Sequence, residues 1–188
     1  MILSQFQTVG RNLFDRGLVS SHIGNLSIRL AERIIITRRD SMLNSLEEND
    51  LIETGIDKNS RTTPLASTDL AIHRAIYRET QALAIVHAHP PHAVALSMSD
   101  TEIVPSVEDF SLIGTVPVVG WNVDLKAENL ADMIAQALKQ HRIILVHNHG
   151  SFAIGQLLEE AYNFTTALEH SSQVRCLMRS LQVNPVKE

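Results

Sequence analysis

The sequence predicts one α/β domain over residues 1–188, and two observations carry this prediction. Segments whose apolar residues recur about every 3.6 positions, typical of amphipathic helices, alternate along the chain with short apolar runs rich in Ile and Val, typical of strands. The 188 residues can bury one substantial core, and no linker or low-complexity segment divides them. Mixed helices and strands around one core indicate the α/β class.

The predicted elements follow in chain order. A helix over residues 2 to about 17 is indicated by Phe6, Val9 and Leu13 and ends at Gly17. A β-hairpin comes next, from residues 26–30 and 33–37. Further strands are predicted at residues 50–54, 82–87, 103–104, 116–119, 143–146 and 152–154. Further helices are predicted after Ser67-Thr68-Asp69 and over residues 93–98, 125–138 and 157–181.

Composition excludes several classes of protein. The net charge of −5 and the lack of a Lys/Arg cluster argue against nucleic-acid binding, which depends on clustered positive charge. The apolar stretches are too short to predict a membrane span, and the N-terminus lacks the pattern of a signal peptide, so we predict a cytoplasmic protein. A single cysteine, Cys176, excludes an internal disulfide and a Cys-rich zinc module.

Two predicted strands end in histidine pairs. His87 and His89 close the run 84–89, and side chains two positions apart on a strand point to the same face. Two adjacent imidazoles are typical metal ligands. The run 143–146 ends in His147 and His149, of which His149 is the preferred third ligand because Gly150 allows close approach of the backbone. Three protein ligands leave one position open, as in a catalytic metal site.

An acidic residue should stand near such a metal, and Asp69 at a predicted helix start is the best candidate for ligand or general base. An equally good interpretation is a helix N-cap or first-turn aspartate. His73 shares its helix face and either orients the site or packs in the core. The other loop candidates are small donors next to predicted elements, as in anion sites: Gly24, Asn25, Ser67 and Thr68.

These segments together resemble the class II aldolase/adducin family over nearly the whole chain. The motifs that carry the resemblance are Gly24-Asn25-Leu26-Ser27-Ile28-Arg29, Ile36-Thr37, Ser67-Thr68-Asp69 with His73 and Tyr77, Val86-His87-Ala88-His89, and Asn148-His149-Gly150 with Gly155. The resemblance implies a three-layer αβα fold with a central, largely antiparallel sheet. It also implies a homotetramer with one Zn²⁺ per subunit, on His87, His89 and His149.

The activity implied by the resemblance is aldol cleavage of a small sugar phosphate. A ketose 1-phosphate, such as fuculose 1-phosphate, would give dihydroxyacetone phosphate and an aldehyde through a metal-stabilised enediolate, with Asp69 moving the proton. Gly24, Asn25, Ser67 and Thr68 would hold the phosphate. The family has a glutamate where this chain has Asp69, so whether the shorter side chain also ligates the resting metal stays open.

The chain also departs from the aldolases of the family. Thr37-Arg38-Arg39-Asp40 replaces Thr-Pro-Thr-Gly, so Arg38 and Arg39 either take over phosphate binding or bind another anion such as a carboxylate. The family's proton-donating tyrosines have no counterpart at matching positions, because the only tyrosines, Tyr77 and Tyr162, fall in predicted helices. Asp109 is an alternative acid, although a solvated loop carboxylate is the favoured interpretation.

Two further functions therefore stay open beside the aldolase. One is an epimerase, dehydratase or decarboxylase that uses the same metal on a related small anion. The other is a non-catalytic module like that of the adducins, which the intact set of three histidines and Asp69 disfavours.

Overall fold

A central sheet of eight strands organises the fold in the computed structural model, which describes residues 2–121 and 129–182, without the side chain of Val107. The strands are β1 Asn25–Leu30, β2 Arg33–Thr37, β3 Leu51–Gly55, β4 Ala84–Ala88, β5 Glu102–Ile103, β6 Val116–Val119, β7 Ile143–Val146 and β8 Gly150–Gly155. The helices are α1 Ile2–Asp15, α2 Leu70–Glu79, α3 Pro91–Ser97, α4 Val107–Ile113, α5 Leu130–Ala137 and α6 Leu158–Ser180.

The strand order is β3-β2-β1-β4-β8-β7-β6-β5, and every pairing is antiparallel except β6 with β7. Strands β4 and β8 lie in the middle of the sheet, where Ala84 pairs with Gly155 and Ala88 with Ser151. All five residues of β4 are buried, because layers of helices cover both faces. This explains why β4 reads as a continuous apolar run instead of an alternating one.

Alternation along the central strands separates two hydrophobic cores. Ala84 and Val86 of β4 pack with α1, α3 and α6 on one face, whereas Ile85 packs with α2 and α5 on the other. Strand β7 divides in the same way, with Leu145 in the first core and Ile144 in the second. The predicted three-layer αβα architecture with a largely antiparallel sheet is therefore confirmed.

Most predicted elements lie where the sequence patterns placed them. The hairpin of β1 and β2 turns without glycine, because Ala31 adopts a φ of 53° between the paired residues Leu30 and Arg33. Helix α4 was missed because its seven residues are too few to show a helical period and no Pro-Pro pair marks its start, as one does for the equally short α3. The predicted helix over residues 125–138 begins outside the described residues and is seen from Leu130.

Within residues 2–121 and 129–182, no helix is both long and apolar enough to cross a membrane. The cytoplasmic location stays a prediction, as does the assignment of residues 1–188 to a single domain.

Candidate active site

The end of β4 brings His87 and His89 to the α2 side of the sheet. His87 is buried and stacks on Phe152 of the neighbouring strand β8, with 4.1 Å between ring centroids and 13° between ring planes. The backbone N–H of His89 donates to the carbonyl of Leu18 at 2.8 Å, which holds the chain extended just beyond the strand. Contacts with the sheet and with Leu18 therefore hold both histidines, which do not lie on a free loop.

The turn between β7 and β8 supplies the third imidazole. Val146 pairs with Gly150, so His147, Asn148 and His149 form the turn, with Asn148 at a φ of 50°. A Cβ atom at Gly150 would lie 2.5 Å from the carbonyl oxygen of Ala88 and 3.1–3.2 Å from the rings of His89 and His87. Only glycine fits between the strand and both histidines, which is the close approach that the sequence suggested.

The side chains of His87, His89 and His149 converge, and one ligand atom from each lies within 4.8 Å of the others. The Nδ1–H of His87 donates to the Ser151 carbonyl at 2.9 Å, so its Nε2 presents a lone pair. The Nε2 atoms of His87 and His89 are 3.0 Å apart. Two nitrogen ligands on one tetrahedral zinc ion would be about 3.3 Å apart, from bonds of about 2.0–2.1 Å. The three histidines therefore fit a single metal ion.

Burial keeps these histidines neutral. Burial, helped by the neighbouring imidazoles, lowers the pKa of His87 and of His89 to about 3. Burial also lowers the pKa of His149, although Asp69 opposes this shift. A metal ligand must offer an unprotonated nitrogen, so all three side chains are ready for a cation at neutral pH.

Asp69 directs its carboxylate at the histidines. The residue precedes α2 in the N-cap position, but its side chain makes no capping hydrogen bond among the described residues. Its Oδ2 accepts a 2.7 Å hydrogen bond from the Nδ2 of Asn25 and lies 3.6 Å from the Nε2 of His87. Asp69 therefore occupies the N-cap position, as one interpretation predicted, but its side chain faces the histidines instead of capping α2. The carboxylate is placed to act as a base or to reach an open metal position.

One pocket of about 320 Å³ contains all ten residues predicted for the site. They are Gly24, Asn25, Arg38, Arg39, Ser67, Thr68, Asp69, His87, His89 and His149. Sequence reasoning missed four other lining residues, His22, Ile23, Asp40 and Ser41. A lone histidine such as His22 is most often a surface residue, and it is indeed exposed, yet it stands at the pocket mouth. The signal for it was its position two residues before the Gly24-Asn25 motif.

The anion side of the pocket is built from less constrained groups. Both Arg38 and Arg39 are exposed, and the guanidinium of Arg39 donates to the Pro64 carbonyl at 2.6 Å. Arg38 is anchored through its backbone N–H, which donates to the Asp50 carbonyl at 2.7 Å. The amide of Asn25 already donates one hydrogen to Asp69, so it can offer an anion at most the second.

Other residues that the sequence raised do not line this pocket. The ring of His147 packs against Trp121, 4.1 Å between centroids, and is not among the three converging histidines. Tyr77 is a buried residue of α2, and Tyr162 packs against the core on α6. Asp109 lies on α4 and accepts hydrogen bonds from Ser106, His170 and Ser171, so the solvated-loop interpretation is wrong. The tail over residues 183–188 lies outside the described residues.

Known proteins of one family are similar to this chain over nearly its whole length. Residues 4–176 match the family described as Class II Aldolase and Adducin N-terminal domain. An L-fuculose phosphate aldolase of Methanococcus maripaludis strain C5 is 31% identical, over 96% of this chain and 99% of that protein. A crystal structure of L-fuculose-1-phosphate aldolase from Thermus thermophilus superposes with a TM-score of 0.89 at 34% identity, over 99% of this chain and 98% of that one.

The chain is also similar to a protein that is named for a different reaction. A 3-oxo-tetronate 4-phosphate decarboxylase of Escherichia coli K12 is 25% identical, over 88% of this chain and 82% of that protein. Since the family match covers most of the sequence and the aldolases match it almost end to end, the chain belongs to the class II aldolase and adducin family.

Proposed function

We propose that this protein is a zinc-dependent aldolase that cleaves a small ketose 1-phosphate, similar to fuculose 1-phosphate, to dihydroxyacetone phosphate and an aldehyde. The observation that carries the proposal is the convergence of three neutral imidazoles with the carboxylate of Asp69 in one pocket. The aldolases named above, which this chain resembles over almost its whole length, support the same reaction.

His87, His89 and His149 would hold the zinc ion, which supplies Lewis-acid stabilisation of the negative charge that develops when the carbon–carbon bond breaks. The Ser151 carbonyl fixes the tautomer of His87 and so keeps its Nε2 available. The stack on Phe152 and the contact at Gly150 restrict the rings. The chain therefore provides a ligand set arranged before the substrate arrives.

Asp69 would move the proton. In retro-aldol cleavage, a base removes the proton of the hydroxyl whose carbon becomes the aldehyde. The carbon–carbon bond then breaks, and its electron pair stays with the other carbon, which is protonated to give dihydroxyacetone phosphate. Asp69 is suited to this transfer because Asn25 holds its carboxylate towards the histidines while 25% of its side chain stays exposed to the pocket. Ser67 contributes by accepting the backbone N–H of Asp69 at 3.2 Å.

Arg38, Arg39, Gly24, Asn25, Ser67 and Thr68 would bind the phosphate. Both arginines line the same pocket as the histidines, and arginine can bind a phosphate through two parallel hydrogen bonds. Together with the zinc ion they would outweigh the carboxylates of Asp40 and Asp69, which line the same pocket, so an anionic substrate would meet a positive site despite the net charge of −5.

A metal-dependent decarboxylase is the second candidate, and the same arginines favour it. A guanidinium fork binds a carboxylate as well as a phosphate, and one relative of this chain is a decarboxylase of a sugar-acid phosphate. Loss of carbon dioxide leaves an electron pair on carbon, so zinc and Asp69 would serve the same two roles.

The test is product analysis with the zinc-loaded protein. We expect dihydroxyacetone phosphate, detected by its enzymatic reduction, from at least one ketose 1-phosphate in a stereochemically complete panel. Asp69→Asn is the control for contaminating aldolase. Carbon dioxide released from 3-oxo acid phosphates, without dihydroxyacetone phosphate from any ketose, would replace the aldolase by the decarboxylase. No product from either panel would contradict both.

A homotetramer is also part of the proposal, since the resemblance implies it. Light scattering on the purified protein, coupled to size-exclusion chromatography, should give four times the chain mass of 20.9 kDa. A monomer would contradict it.

A further inference from the structure

Two polar pairs lie side by side between β1 and α2. The outer pair is Asn25 with Asp69, in contact at 2.7 Å, and the inner pair is Ser27 with His73, also at 2.7 Å. Residues two apart on a strand are separated by about 6.7 Å, and residues four apart on a helix by about 6 Å. Because these spacings match, the inner pair sits directly behind the outer pair.

The inner pair continues to a tyrosine. The Oγ of Ser27 is 2.8 Å from the hydroxyl of Tyr77, and Ser27, His73 and Tyr77 are all at most 1% exposed. Burial lowers the pKa of His73 to about 3, so its imidazole is neutral and carries one proton on either Nδ1 or Nε2.

The hydrogen-bond pattern decides which nitrogen carries that proton. If Tyr77 donates to Ser27 and Ser27 donates to the Nδ1 of His73, the proton of His73 is on Nε2. In the reverse order, His73 donates from Nδ1, Ser27 donates to Tyr77, and the buried hydroxyl proton of Tyr77 has no acceptor among the described residues. Either order leaves one buried donor without an acceptor among the described residues, the Nε2–H of His73 in the first and the hydroxyl of Tyr77 in the second. Only the first order leaves that donor next to the Asn25–Asp69 pair, which holds an unpaired buried acceptor, the Oδ1 of Asn25, so the first order is favoured.

Two buried atoms then complement one another. Neither the Nε2 of His73 nor the Oδ1 of Asn25 has a hydrogen-bond partner among the described residues, and both atoms are inaccessible to solvent. The Nε2 of His73 is a donor, because the favoured order of hydrogen bonds places the proton of His73 on this atom. The Oδ1 of Asn25 is an acceptor, because the Nδ2 of the same amide donates to Asp69. The two atoms belong to adjacent pairs, His73 to the inner pair and Asn25 to the outer pair.

We propose that His73 is a positioning residue whose Nε2–H binds the Oδ1 of Asn25 through one buried water and thereby fixes the amide orientation that holds Asp69 in the site. With the amide reversed, its oxygen would face the carboxylate of Asp69 and repel it. The series of hydrogen bonds from Tyr77 through Ser27 and His73 to Asn25 thus sets the direction of the Asp69 carboxylate. The inference rests on the proposed role of Asp69.

The first test reads the tautomer and needs no activity. Long-range ¹H–¹⁵N correlation of zinc-loaded protein with ¹⁵N-labelled histidine should show His73 protonated on Nε2 and unprotonated on Nδ1. The His73 signals are assigned by their disappearance in His73→Gln. A proton on Nδ1 instead would overturn the proposal, whether or not the protein proves to be an aldolase.

The second test compares two amides at position 73. Glutamine reaches the position of Nε2 and can still donate to Asn25, whereas the shorter asparagine reaches only the position of Nδ1. We expect His73→Asn to lower kcat roughly 10–100-fold, as for other residues that orient a ligand or base, with KM and zinc content unchanged, and His73→Gln to recover most of the loss. Equal kcat in the two variants would overturn the proposal.

A third variant covers the case in which His73→Asn does not fold. Ser27→Ala removes the partner of Nδ1 while keeping the imidazole and the acceptor proposed for Nε2–H. We expect His73 in this variant to keep its proton on Nε2, because the Asn25 side still binds it. A mixture of both tautomers, or a proton on Nδ1, would show that nothing on the Asn25 side binds Nε2–H and would overturn the proposal.

Discussion

The two ends of the pocket differ in how firmly the fold holds their side chains. At the metal end, His87 is buried, stacked on Phe152 and bonded to the Ser151 carbonyl. At the anion end, Arg38 and Arg39 are exposed on a loop. Rotamer freedom of a long exposed side chain must be lost on binding, whereas the imidazoles are already ordered. The metal end thus favours one geometry, and the anion end can adapt to different substrates.

The family relatives differ in the reactions for which they are named. Proteins named as aldolases and as a decarboxylase both match this chain over most of its length, although their substrates differ. A constant metal end with a variable anion end would allow one fold to serve both reactions. Substitutions at the metal end should therefore lower zinc content and turnover, whereas substitutions at the anion end should mainly raise KM.

The largest effect should come from removing a metal ligand. His87→Ala or His89→Ala is expected to abolish zinc binding and with it all turnover, because two imidazoles cannot complete the site and each ring also fixes its neighbour at 3.0 Å. Zinc is measured by atomic absorption after dialysis.

His22→Ala is the control for this prediction, since His22 lines the same pocket but lies outside the three converging histidines. It should keep one zinc per chain. Full zinc content in His87→Ala would mean that the ion binds elsewhere.

Asp69→Asn should have the next largest effect. The amide keeps the size of the side chain, so zinc should stay largely bound, but it cannot accept a proton. Turnover should fall by about 10²–10⁴-fold, the usual contribution of general acid–base catalysis. Zinc content and kcat measured on the same preparation separate the two roles. An Asp69→Asn protein with normal kcat would remove this residue from the mechanism, and one without zinc would make it a metal ligand.

Much of the metal end could be predicted from sequence, for a physical reason. A strand fixes side-chain direction with a period of two, so the spacing of His87 and His89 is enough to place both imidazoles on one face. Gly150 similarly indicated the close approach that brings His149 to the site. The clash that a Cβ atom at this position would make with the Ala88 carbonyl explains why glycine is needed there.

The roles of Asp69 and Asp109 could not be predicted, because they depend on contacts between residues that are far apart in sequence. The choice between helix cap and site carboxylate for Asp69 could not be made from local pattern, because the partner that decides it, Asn25, is 44 positions away in sequence. The same holds for Asp109, whose partners on α6 are more than 60 positions away. Helix α4 was missed because seven residues give too few turns for a periodic signal and no Pro-Pro pair marks its start.

The metal end should also make the zinc-free protein sensitive to acid. Burial lowers the pKa of His73, His87 and His89 to about 3, whereas an unfolded histidine titrates near 6.5. Between these values the unfolded chain binds more protons, so stability falls as pH falls. Each of these histidines should contribute up to about 1.4 kcal/mol per pH unit within that window.

Urea unfolding of the zinc-free protein at pH 7, 6 and 5 measures this dependence, and the zinc-loaded protein is the comparison. The free energy of unfolding should decrease at each step in the zinc-free form. A value independent of pH over this range would mean that the three imidazoles are hydrated in solution.

The smallest effects should come from the anion end, and they should differ between its two arginines. The guanidinium of Arg38 has no hydrogen-bond partner among the described residues, so Arg38→Met should not lower the stability of the protein. It should raise KM for an anionic substrate by about 10–100-fold, which corresponds to the roughly 1.5–3 kcal/mol of a charged hydrogen bond. Arg39 already donates to the Pro64 carbonyl, so Arg39→Met should raise KM less and should also lower the free energy of unfolding by about 1 kcal/mol. Steady-state kinetics and urea unfolding of both variants, with zinc content as the control, measure the two effects together. If both arginines affected kcat and zinc content as strongly as His87 does, the anion end would be as rigid as the metal end, and the difference between them would have to be abandoned.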